Sequence, residues 1–393
     1  KVTVCLALLP LIQSGHIIWT RLVNTRLLLK DRLDGIGWFT YESLKRIVVQ
    51  HPEHQFYFVF DRPWHPTFIM GKNVEPIILS PPTRHPILFY IWFELRLPSL
   101  IKRIKPDLFV STDGFISLRS SVKTLNVIHD LNFEHNPEDM PWPYRCYYRF
   151  FFKRFAHRSQ RICTVSEFSK SDISKTYGIN PDRIDVVYNG ANERFVPVST
   201  ETITKTRLQF ADGCPYFLFV GTLHPRKNLV NLFKAFDYFC QNTGNEVKLL
   251  IVGNRKWWTN EIEQTYNGMK YKQQVVFTGR LSTEKLHHVI GSAMAVTYVS
   301  LFEGFGIPIL EAFYCDVPVI TSNITSMPEI AGDAALLVDP LDYVQIGEAM
   351  LKLNANQNLR QALIEKGRIQ RTKFNWQHTA DLLWDSIHKT ILE

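Results

Sequence analysis

Short apolar runs alternate with longer helix-like segments along nearly the whole chain, and this alternation limits the fold more than any other feature. It is typical of α/β proteins whose strands are parallel. The predicted helices are residues 37–50, 167–177, 228–242, 283–291, 309–314 and 344–355. The predicted strands are residues 17–23, 55–60, 108–111, 124–129, 161–165, 216–220, 248–252, 275–278, 295–299 and 317–321.

The chain length predicts two domains. A chain of 393 residues is longer than one hydrophobic core usually organises. The boundary is expected near residues 190–213, where the strand at 185–187 gives way to a polar stretch at 199–205. The predicted parts are residues 1–195, residues 196–375 and a C-terminal helix, 376–393, that packs back on the first domain. Two doubly wound sheets would face each other across a cleft, where small ligands usually bind.

The charge balance favours an anionic partner. The formal net charge is +8 and the pI is about 9.1. The basic residues are spread along the chain without a long basic run or a recognised motif, so nucleic acid is not expected as a partner. The six cysteines are widely spaced and contain no Cys-x-x-Cys pair, which argues against a zinc site or a disulfide framework and favours reduced thiols in a cytoplasmic protein.

The N-terminal residues are interpreted separately. Residues 2–12 are apolar but too few to cross a membrane, and no clear cleavage site follows them. We therefore expect residues 1–16 to be an extension or a fragment edge before the first strand, with a signal peptide as the alternative.

The strongest motif is residues 300–312, SLFEGFGIPILEA, which follows a predicted strand and leads into a helix. Gly304 and Gly306 suit a loop whose backbone approaches a ligand closely, and Pro308 suits the first turn of a helix. The N-terminus of that helix would attract an anion such as a diphosphate. Glu303 and Glu311 could accept hydrogen bonds from different hydroxyls of one extended ligand. The alternative is a plain strand–turn–helix with a capping glutamate.

The second motif is residues 220–228, VGTLHPRKN, which also lies between a strand and a helix. Arg226 and Lys227 are adjacent cations at the carboxyl end of the strand, where they could neutralise a leaving diphosphate without a metal ion. Cations are slightly disfavoured at a helix start, so their presence suggests an anionic partner. Two solvated charges are the alternative.

Together these motifs resemble those of the retaining glycosyltransferases of family 4, which have the GT-B fold. Glu303 and Glu311 match the paired-glutamate motif Glu-x7-Glu, and Arg226 with Lys227 matches the diphosphate clamp. The segments GTLHPRKN and VIHDLNFEHNP are similar to a bacterial mannosyltransferase-like subgroup. Weaker matches lie at residues 34–37, 128–130, 164–169, 188–190 and 277–281.

The resemblance implies two Rossmann-like domains, of which the N-terminal one is on the acceptor side and the C-terminal one binds the donor. It also implies roles for single residues. Glu311 would bind the ribose hydroxyls, Glu303 the donor sugar, and Arg226 with Lys227 the leaving diphosphate. The residues implied in catalysis are Arg226, Lys227, Glu303 and His129. The residues implied in binding the donor nucleotide and its phosphates are Glu311, Phe305, Gly306, Ile307, Gly35, Gly37, Gly221 and Arg280.

The implied reaction is transfer of a sugar, mannose in the subgroup, from a GDP- or UDP-linked donor to a glycan or lipid-linked acceptor during surface polysaccharide synthesis. The resemblance implies retention at the anomeric carbon by a front-face reaction, and we expect no cofactor. No metal ion is expected either, because the sequence has no Asp-x-Asp motif. A nucleotide-sugar 2-epimerase of similar fold is the main alternative, and turnover of the donor without an acceptor would favour it. A non-catalytic protein on the same fold is a further alternative, although the key cations and glutamates are all present.

Two segments combine aromatic and basic residues, as helices at anionic membrane surfaces do. The first is residues 144–158, and the second is residues 89–93 with the cations that follow at 96, 102, 103 and 105. An ordinary helix with one core face and one solvated basic face explains either equally well. The resemblance to family 4, whose members often act on lipid-linked or surface-polysaccharide acceptors, favours the membrane. We expect a cytoplasmic protein with a peripheral contact to the inner face of the cell membrane.

Overall fold

The structure, a computed structural model, describes residues 18–30, 33–244 and 246–393. The expectations for residues 1–16 and for the first residue of the strand at 17–23 lie outside this range. The chain divides into two units. The first unit contains the chain up to Val165 together with Lys170–Val187 and Gln377–Glu393, and the second contains Ser166–Ser169 and Tyr188–Trp376.

A parallel sheet forms the centre of the first unit. Within the described residues its strands are β1 Thr20–Asn24, β2 Gln55–Phe60, β3 Val74–Ile78, β4 Leu108–Ser111, β5 Lys123–Val127, β6 Arg161–Thr164 and β7 Ile184–Val186. Their order across the sheet is β3-β2-β1-β4-β5-β6-β7, and each neighbouring pair is parallel.

A second parallel sheet forms the centre of the second unit. As far as the chain is described, its strands are β8 Tyr216–Val220, β9 Lys248–Val252, β10 Val275–Gly279, β11 Ala295–Tyr298, β12 Val319–Ser322 and β13 Ala335–Val338. Their order is β10-β9-β8-β11-β12-β13, again with parallel pairs throughout.

Both sheets are doubly wound, as the sequence predicted. The chain starts each sheet near its middle, builds outward to one edge and then crosses back to build the other side. The reversal lies between β1 and β4 in the first unit and between β8 and β11 in the second. Ligands of such sheets bind beyond the carboxyl ends of the strands at this point of reversal. The loops after β8 and β11 are therefore where the second unit should hold a ligand.

Helices connect the strands. In chain order they are α1 Gly35–Gln50, α2 Pro86–Tyr90, α3 Leu97–Ile104, α4 Asn132–His135, α5 Trp142–Arg158, α6 Glu167–Tyr177, α7 Thr200–Ala211, α8 Leu229–Gln241, α9 Asn260–Gly268, α10 Thr283–Gly291, α11 Ile307–Tyr314, α12 Met327–Ala331, α13 Tyr343–Ala355, α14 Gln357–Gln370 and α15 Trp376–Leu392. A π-helical turn, Ile91–Arg96, joins α2 to α3.

The structure corrects several predicted bounds. The polar stretch at 199–205, which marked the expected domain boundary, starts helix α7, because the Ser199 hydroxyl caps the helix by accepting from the Thr202 amide. Helix α11 begins at Ile307 rather than Ile309, because Gly306 in a left-handed conformation serves as its N-cap. The edge strands β3 and β13 were not predicted. Pro76 interrupts the apolar run of β3, which only an edge strand tolerates.

The last helix belongs mostly to the first unit. The Lys123 ammonium donates to the Ile391 carbonyl at 2.6 Å, and Arg161 forms an ion pair with Glu393 at 2.6 Å. The indole of Trp384 stacks on the His51 ring with centroids 3.6 Å apart. These contacts join residues far apart in sequence, so α15 completes the first unit.

Candidate active site

A tight turn after β8 positions the two adjacent cations. His224 caps a 3-10 turn, Pro225–Lys227, by accepting the Arg226 amide hydrogen bond on its ring. Asn228 then adopts a left-handed conformation, with φ of 61°. Its side-chain amide donates to the carbonyls of Val299 (2.9 Å) and Pro340 (2.6 Å). The turn is thereby fastened to the end of β11, which is its neighbour in the sheet.

Glu303 lies between the two cations. Its Oε2 accepts from the Arg226 guanidinium at 3.1 Å, and its Oε1 accepts from the Lys227 ammonium. Lys227 also donates to the hydroxyl of Tyr298, the last residue of β11, at 2.5 Å. Two cations and one carboxylate leave this cluster with a net charge of +1, which suits an anionic ligand.

Glu303 stays ionised despite its burial. Burial by itself would raise the pKa of Glu303, but the charges of Arg226 and Lys227 outweigh it and lower the pKa to about 2. The hydroxyl of Tyr298 stays protonated, because burial and the charge of Glu303 raise its pKa. Glu303 is thus a hydrogen-bond acceptor over the whole physiological pH range.

Serine hydroxyls fix the loop that follows Glu303. Ser326 donates to the carbonyls of Glu303 (2.9 Å) and Phe305 (3.1 Å). Ser166 donates to the Gly304 carbonyl at 2.7 Å. Because the carbonyls are bound on one side, the peptide planes of this loop are held in one orientation.

The start of α11 offers backbone amides. Gly306 has φ of 102°, a conformation that side-chain-bearing residues rarely adopt. The ring of Phe305 packs against Tyr188 and Phe374, so this residue can offer a ligand mainly its backbone. The N-terminus of a helix carries free N–H groups and a positive dipole end, which favour a phosphate.

Glu311 lies one turn into α11 and is half-buried. In the described part of the chain no side chain or amide donates to its carboxylate. Burial raises the pKa of Glu311 to about 7, and no cation among the described residues lowers it. Its carboxylate oxygens can therefore accept hydrogen bonds from a ligand.

Two further predicted residues lie at strand ends of the second unit. Gly221 directly follows β8, and a Cβ added to it would lie 3.8 Å from the Lys227 Cε. A Cβ added to Gly253 would lie only 1.8 Å from the Gly221 carbonyl oxygen, so Gly253 must lack a side chain. Arg280 is exposed directly after β10.

The first unit holds the remaining predicted residues. Asp34 caps α1 by accepting from the Gly37 amide at 2.9 Å, with Gly35 exposed at the first helical position. A Cβ on Gly37 would meet the Leu33 side chain at 3.0 Å and the Leu27 carbonyl at 3.3 Å, so a side chain here would fit only if these neighbours shifted slightly.

His129 follows β5, and its ring position is fixed. Its Nε2 lies 2.9 Å from the Thr112 carbonyl oxygen, so it donates there. The Phe39 ring meets it edge-on with centroids 5.1 Å apart. Burial lowers the pKa of His129, so the ring is neutral.

Family models match most of the chain. The model described as "Glycosyltransferase Family 4" matches residues 34–195, and the one described as "Glycosyl transferases group 1" matches residues 201–370. The chain is 30% identical to the O-antigen chain mannosyltransferase RfbU of Salmonella typhimurium over 260 residues, which are 65% of this chain and 68% of that protein.

The chain belongs to glycosyltransferase family 4.

One further relative and one solved structure are similar to the chain. The O-antigen chain mannosyltransferase B of Escherichia coli is 29% identical over 363 residues, 89% of this chain and 94% of that one. The crystal structure of Anabaena Alr3699/HepE in complex with UDP and glucose superposes with a TM-score of 0.73, at 15% identity, over 94% of this chain and 99% of that one. That likeness shows a shared fold, which is GT-B as predicted.

The family 4 sequence motifs missed part of the site. Tyr298, Ser326 and Asn228 were not assigned, although they hold the cations and the glycine loop. The segment 164–169 had been noted, and its Ser166 proves to bind the loop. The sequence also showed no sign of an ion pair within the first unit, in which Arg26 and Asp113 lie 2.6 Å apart at the carboxyl edge of that sheet. No local sequence pattern identifies such residues, because their partners are distant in sequence.

Burial decides between alternatives that the sequence left open. Lys227 is not a solvated charge, because only 8% of it is exposed and it is paired with a buried carboxylate. In the segment 89–93, Phe89, Trp92 and Phe93 are buried in the core of the first unit, which fits an ordinary helix with a core face rather than a membrane surface.

Neither a spanning helix nor a metal cluster is found where the structure describes the chain. Every helix there is too short or too polar to cross a membrane. No group of three or more His, Cys, Asp or Glu side chains is arranged to hold a metal ion there.

Proposed function

We propose that this family 4 enzyme is a retaining, metal-independent hexosyltransferase that moves mannose from a nucleotide-diphosphate sugar to a glycan or lipid-linked acceptor in surface polysaccharide synthesis. The observation that carries the proposal is the cluster in which Arg226 and Lys227 share Glu303 at the point where the second sheet reverses. The similarity to two O-antigen mannosyltransferases supports the sugar and the type of acceptor.

The cluster suits the departure of a diphosphate. Negative charge on the leaving group grows as the glycosidic bond breaks, so a fixed cation stabilises the transition state more than the ground state. Lys227 is held in place by Tyr298 and Glu303 before any ligand arrives. The Arg226 side chain is 26% exposed and can turn one edge of its guanidinium toward a phosphate.

Glu303 and Glu311 would bind different parts of the donor. Each carboxylate oxygen has two lone pairs, so Glu303 can accept from a sugar hydroxyl while it remains paired with its cations. Glu311 carries no cation and would accept from the ribose hydroxyls. The amides at the start of α11 would then face the diphosphate between them.

Three finer parts of the proposal rest on chemistry. No metal ion is needed where the two cations already supply the positive charge that a metal would bring. Retention is expected from the family 4 assignment, and we propose a front-face reaction for it because no side chain of the cluster is placed as an obvious covalent nucleophile. His129, neutral and fixed by Thr112, would contact the donor sugar rather than transfer a proton. The cysteines within the described residues are free thiols, which supports a cytoplasmic location.

A donor screen tests the proposal. The purified protein is incubated with GDP- and UDP-linked sugars, and both the thermal shift and the release of nucleoside diphosphate are measured. We expect stabilisation by one donor class and faster release when an acceptor extract is added. A protein that no nucleotide sugar stabilises would contradict the proposal, and conversion of the donor sugar to its 2-epimer without an acceptor would identify an epimerase instead.

A further inference from the structure

Helix α5 presents an aromatic and basic face to solvent. Its buried residues, which face the core of the first unit, are Tyr147, Phe152, Phe155 and Ala156. Its exposed residues recur every three or four positions, so they form a single stripe along the helix. This stripe, called the basic–aromatic face below, consists of Trp142, Cys146, Arg149, Phe150, Lys153, Arg154 and His157.

Large aromatic rings on this face are open to solvent. Trp142 is 71% exposed and Phe150 is 53% exposed. Isolated exposed rings are common on protein surfaces, but these two share one stripe of one helix. The Arg154 guanidinium lies 3.9 Å from the centre of the Phe150 ring, so charge and apolar area are adjacent.

The charge of the face has one sign. Helix α5 contains no acidic residue; Glu138 and Asp139, the nearest in sequence, precede it. Across the described residues, Arg149, Lys153 and Arg154 form no ion pair with a carboxylate. A surface pocket of about 580 Å³ at the end of the helix is lined by basic side chains alone: Arg149, Lys153, Arg154, His157 and Arg158.

The neighbouring helix α2 carries exposed apolar residues of its own. On α2, Ile87 is 63% exposed and Tyr90 is 37% exposed. The Tyr90 ring lies 6.3 Å from that of Phe151 on α5. The hydroxyl of Tyr90 accepts from the Arg119 guanidinium at 2.8 Å, which adds another cation.

We propose that the basic–aromatic face docks on an anionic lipid bilayer, with α5 lying in the plane of the interface. A helix of 17 residues presents a face about 25 Å long to such a surface. Exposed tryptophan and phenylalanine side chains enter the boundary between headgroups and acyl chains, while arginine and lysine pair with lipid phosphates. This surface deepens the proposed function, on which it rests for the lipid-linked acceptor, although the binding itself requires no turnover.

Vesicle sedimentation tests the docking directly. The full chain is mixed with vesicles of phosphatidylcholine alone, or of phosphatidylcholine with phosphatidylglycerol, and the bound fraction is measured at low and high salt. We expect binding to the phosphatidylglycerol vesicles only, weakening as salt shortens the Debye length below about 10 Å. Equal binding to both vesicles, or no binding to either, would overturn the proposal.

Matched variants locate the surface. Arg149→Ala with Lys153→Ala removes two charges from the face, and Lys234→Ala with Lys285→Ala removes two exposed charges from the second unit. A basic residue near an anionic bilayer contributes about a fivefold change in partitioning (about 1 kcal/mol), so the first pair should weaken binding by more than about tenfold. The control pair should leave it unchanged.

The apolar part is tested separately. Trp142→Ser with Phe150→Ser should also weaken binding to these vesicles, whereas Leu208→Ser with Ile369→Ser, two other exposed apolar residues, should not. If only the basic pair mattered, and inorganic pyrophosphate displaced the protein from vesicles more strongly than sulfate at equal ionic strength, the face would be a phosphate site rather than a membrane surface. Donor-induced thermal shifts of the face variants should match those of the wild type, so a failure of docking can be distinguished from a failure of the proposed function.

Discussion

Lys227 influences both the ligand and the protein, because it shares the carboxylate of Glu303 with Arg226. Lys227→Ala removes a preorganised charge from the leaving diphosphate, so kcat should fall by about 100-fold or more, with a smaller change in the donor KM. The variant also leaves a buried carboxylate with one cation, which should lower the free energy of unfolding by about 1–3 kcal/mol. Steady-state kinetics and denaturant unfolding measure the two effects.

Lys234→Ala is the matched control, because Lys234 is an exposed lysine of the same unit. It should change neither quantity. Near-normal turnover of folded Lys227→Ala would mean that the diphosphate is stabilised elsewhere.

The raised pKa of Glu311, about 7, predicts a pH-dependent affinity for the donor. The carboxylate accepts hydrogen bonds more strongly when ionised, so the affinity should increase as the pH rises from 5 to 8 and then level off. At pH 5 only about one per cent of a group with this pKa is ionised. Calorimetry with a nucleotide sugar, whose diphosphate does not titrate in this range, measures the effect.

Glu311→Gln is the control for that titration. It should bind the donor weakly and independently of pH, and a wild-type affinity that stays flat from pH 5 to 8 would contradict the ribose role of Glu311.

The stability of the ligand-free protein should decrease as the pH rises, whereas the affinity for the donor increases. A pKa raised in the folded state gives stability that is present below the unfolded pKa of about 4.5 and is lost as the pH rises through about 7.

The positions of single residues were predictable from sequence where a motif marks them. Arg226, Lys227, Glu303 and Glu311 lie at strand ends and helix starts, where the sequence placed them. The burial of Lys227 was not predictable, because it depends on Tyr298, a residue 71 positions away.

At the scale of elements, the loop between β11 and α11 depends on hydroxyls from other segments. Ser326→Ala removes the donor to the carbonyls of Glu303 and Phe305, which should cost about 1–2 kcal/mol of stability. Since the loop would move relative to the cations, kcat should fall by about tenfold. Thermal unfolding and kinetics measure both changes.

Ser159→Ala is the control for this prediction. Ser159 is also buried and donates to one backbone carbonyl, that of Phe155, but it lies at the end of α5. The Ser159→Ala variant should lose about as much stability as the Ser326→Ala variant, with kcat unchanged. If both variants keep full activity, the serine contacts only stabilise the fold and do not set the geometry of the site.

Elements were predicted well where burial makes a strand uniformly apolar. The strands β2, β4, β8 and β9 have the predicted bounds, because the interior strands of a parallel sheet are covered on both faces. The edge strands β3 and β13 have exposed positions and weaker patterns, so they were missed. Helix α5 was recognised as aromatic and basic, but only the structure shows which rings face the core.

At the scale of the whole molecule, the chain passes repeatedly between its two units. Gln377–Glu393 belongs to the first unit, on which the C-terminal helix 376–393 was expected to pack. Ser166–Ser169 belongs to the second unit, although the sequence placed the boundary near residues 190–213. This second exchange depends on contacts between distant segments, and no local pattern reports it.

The C-terminal helix should therefore stabilise the first unit. Trp384 covers the guanidinium of buried Arg21 at 4.4 Å from its ring centre and stacks on His51. Trp384→Ala should lower the free energy of unfolding by about 1–3 kcal/mol, through lost packing and an uncovered charge. Trp142→Ala, which removes an exposed indole, is the control and should change stability little. Equal stabilities of the two variants would mean that α15 contributes little to the unit.

The most direct test of the proposed chemistry is the initial rate of sugar transfer, with the donor that the screen identifies, after metal ions have been removed with EDTA. Because Arg226 and Lys227 provide the positive charge beside the diphosphate, the wild-type rate in EDTA should stay within about twofold of the untreated rate. This change is far smaller than the decrease in rate expected when an electrostatic donor is removed. A rate that collapses in EDTA and returns with manganese or magnesium would contradict the account.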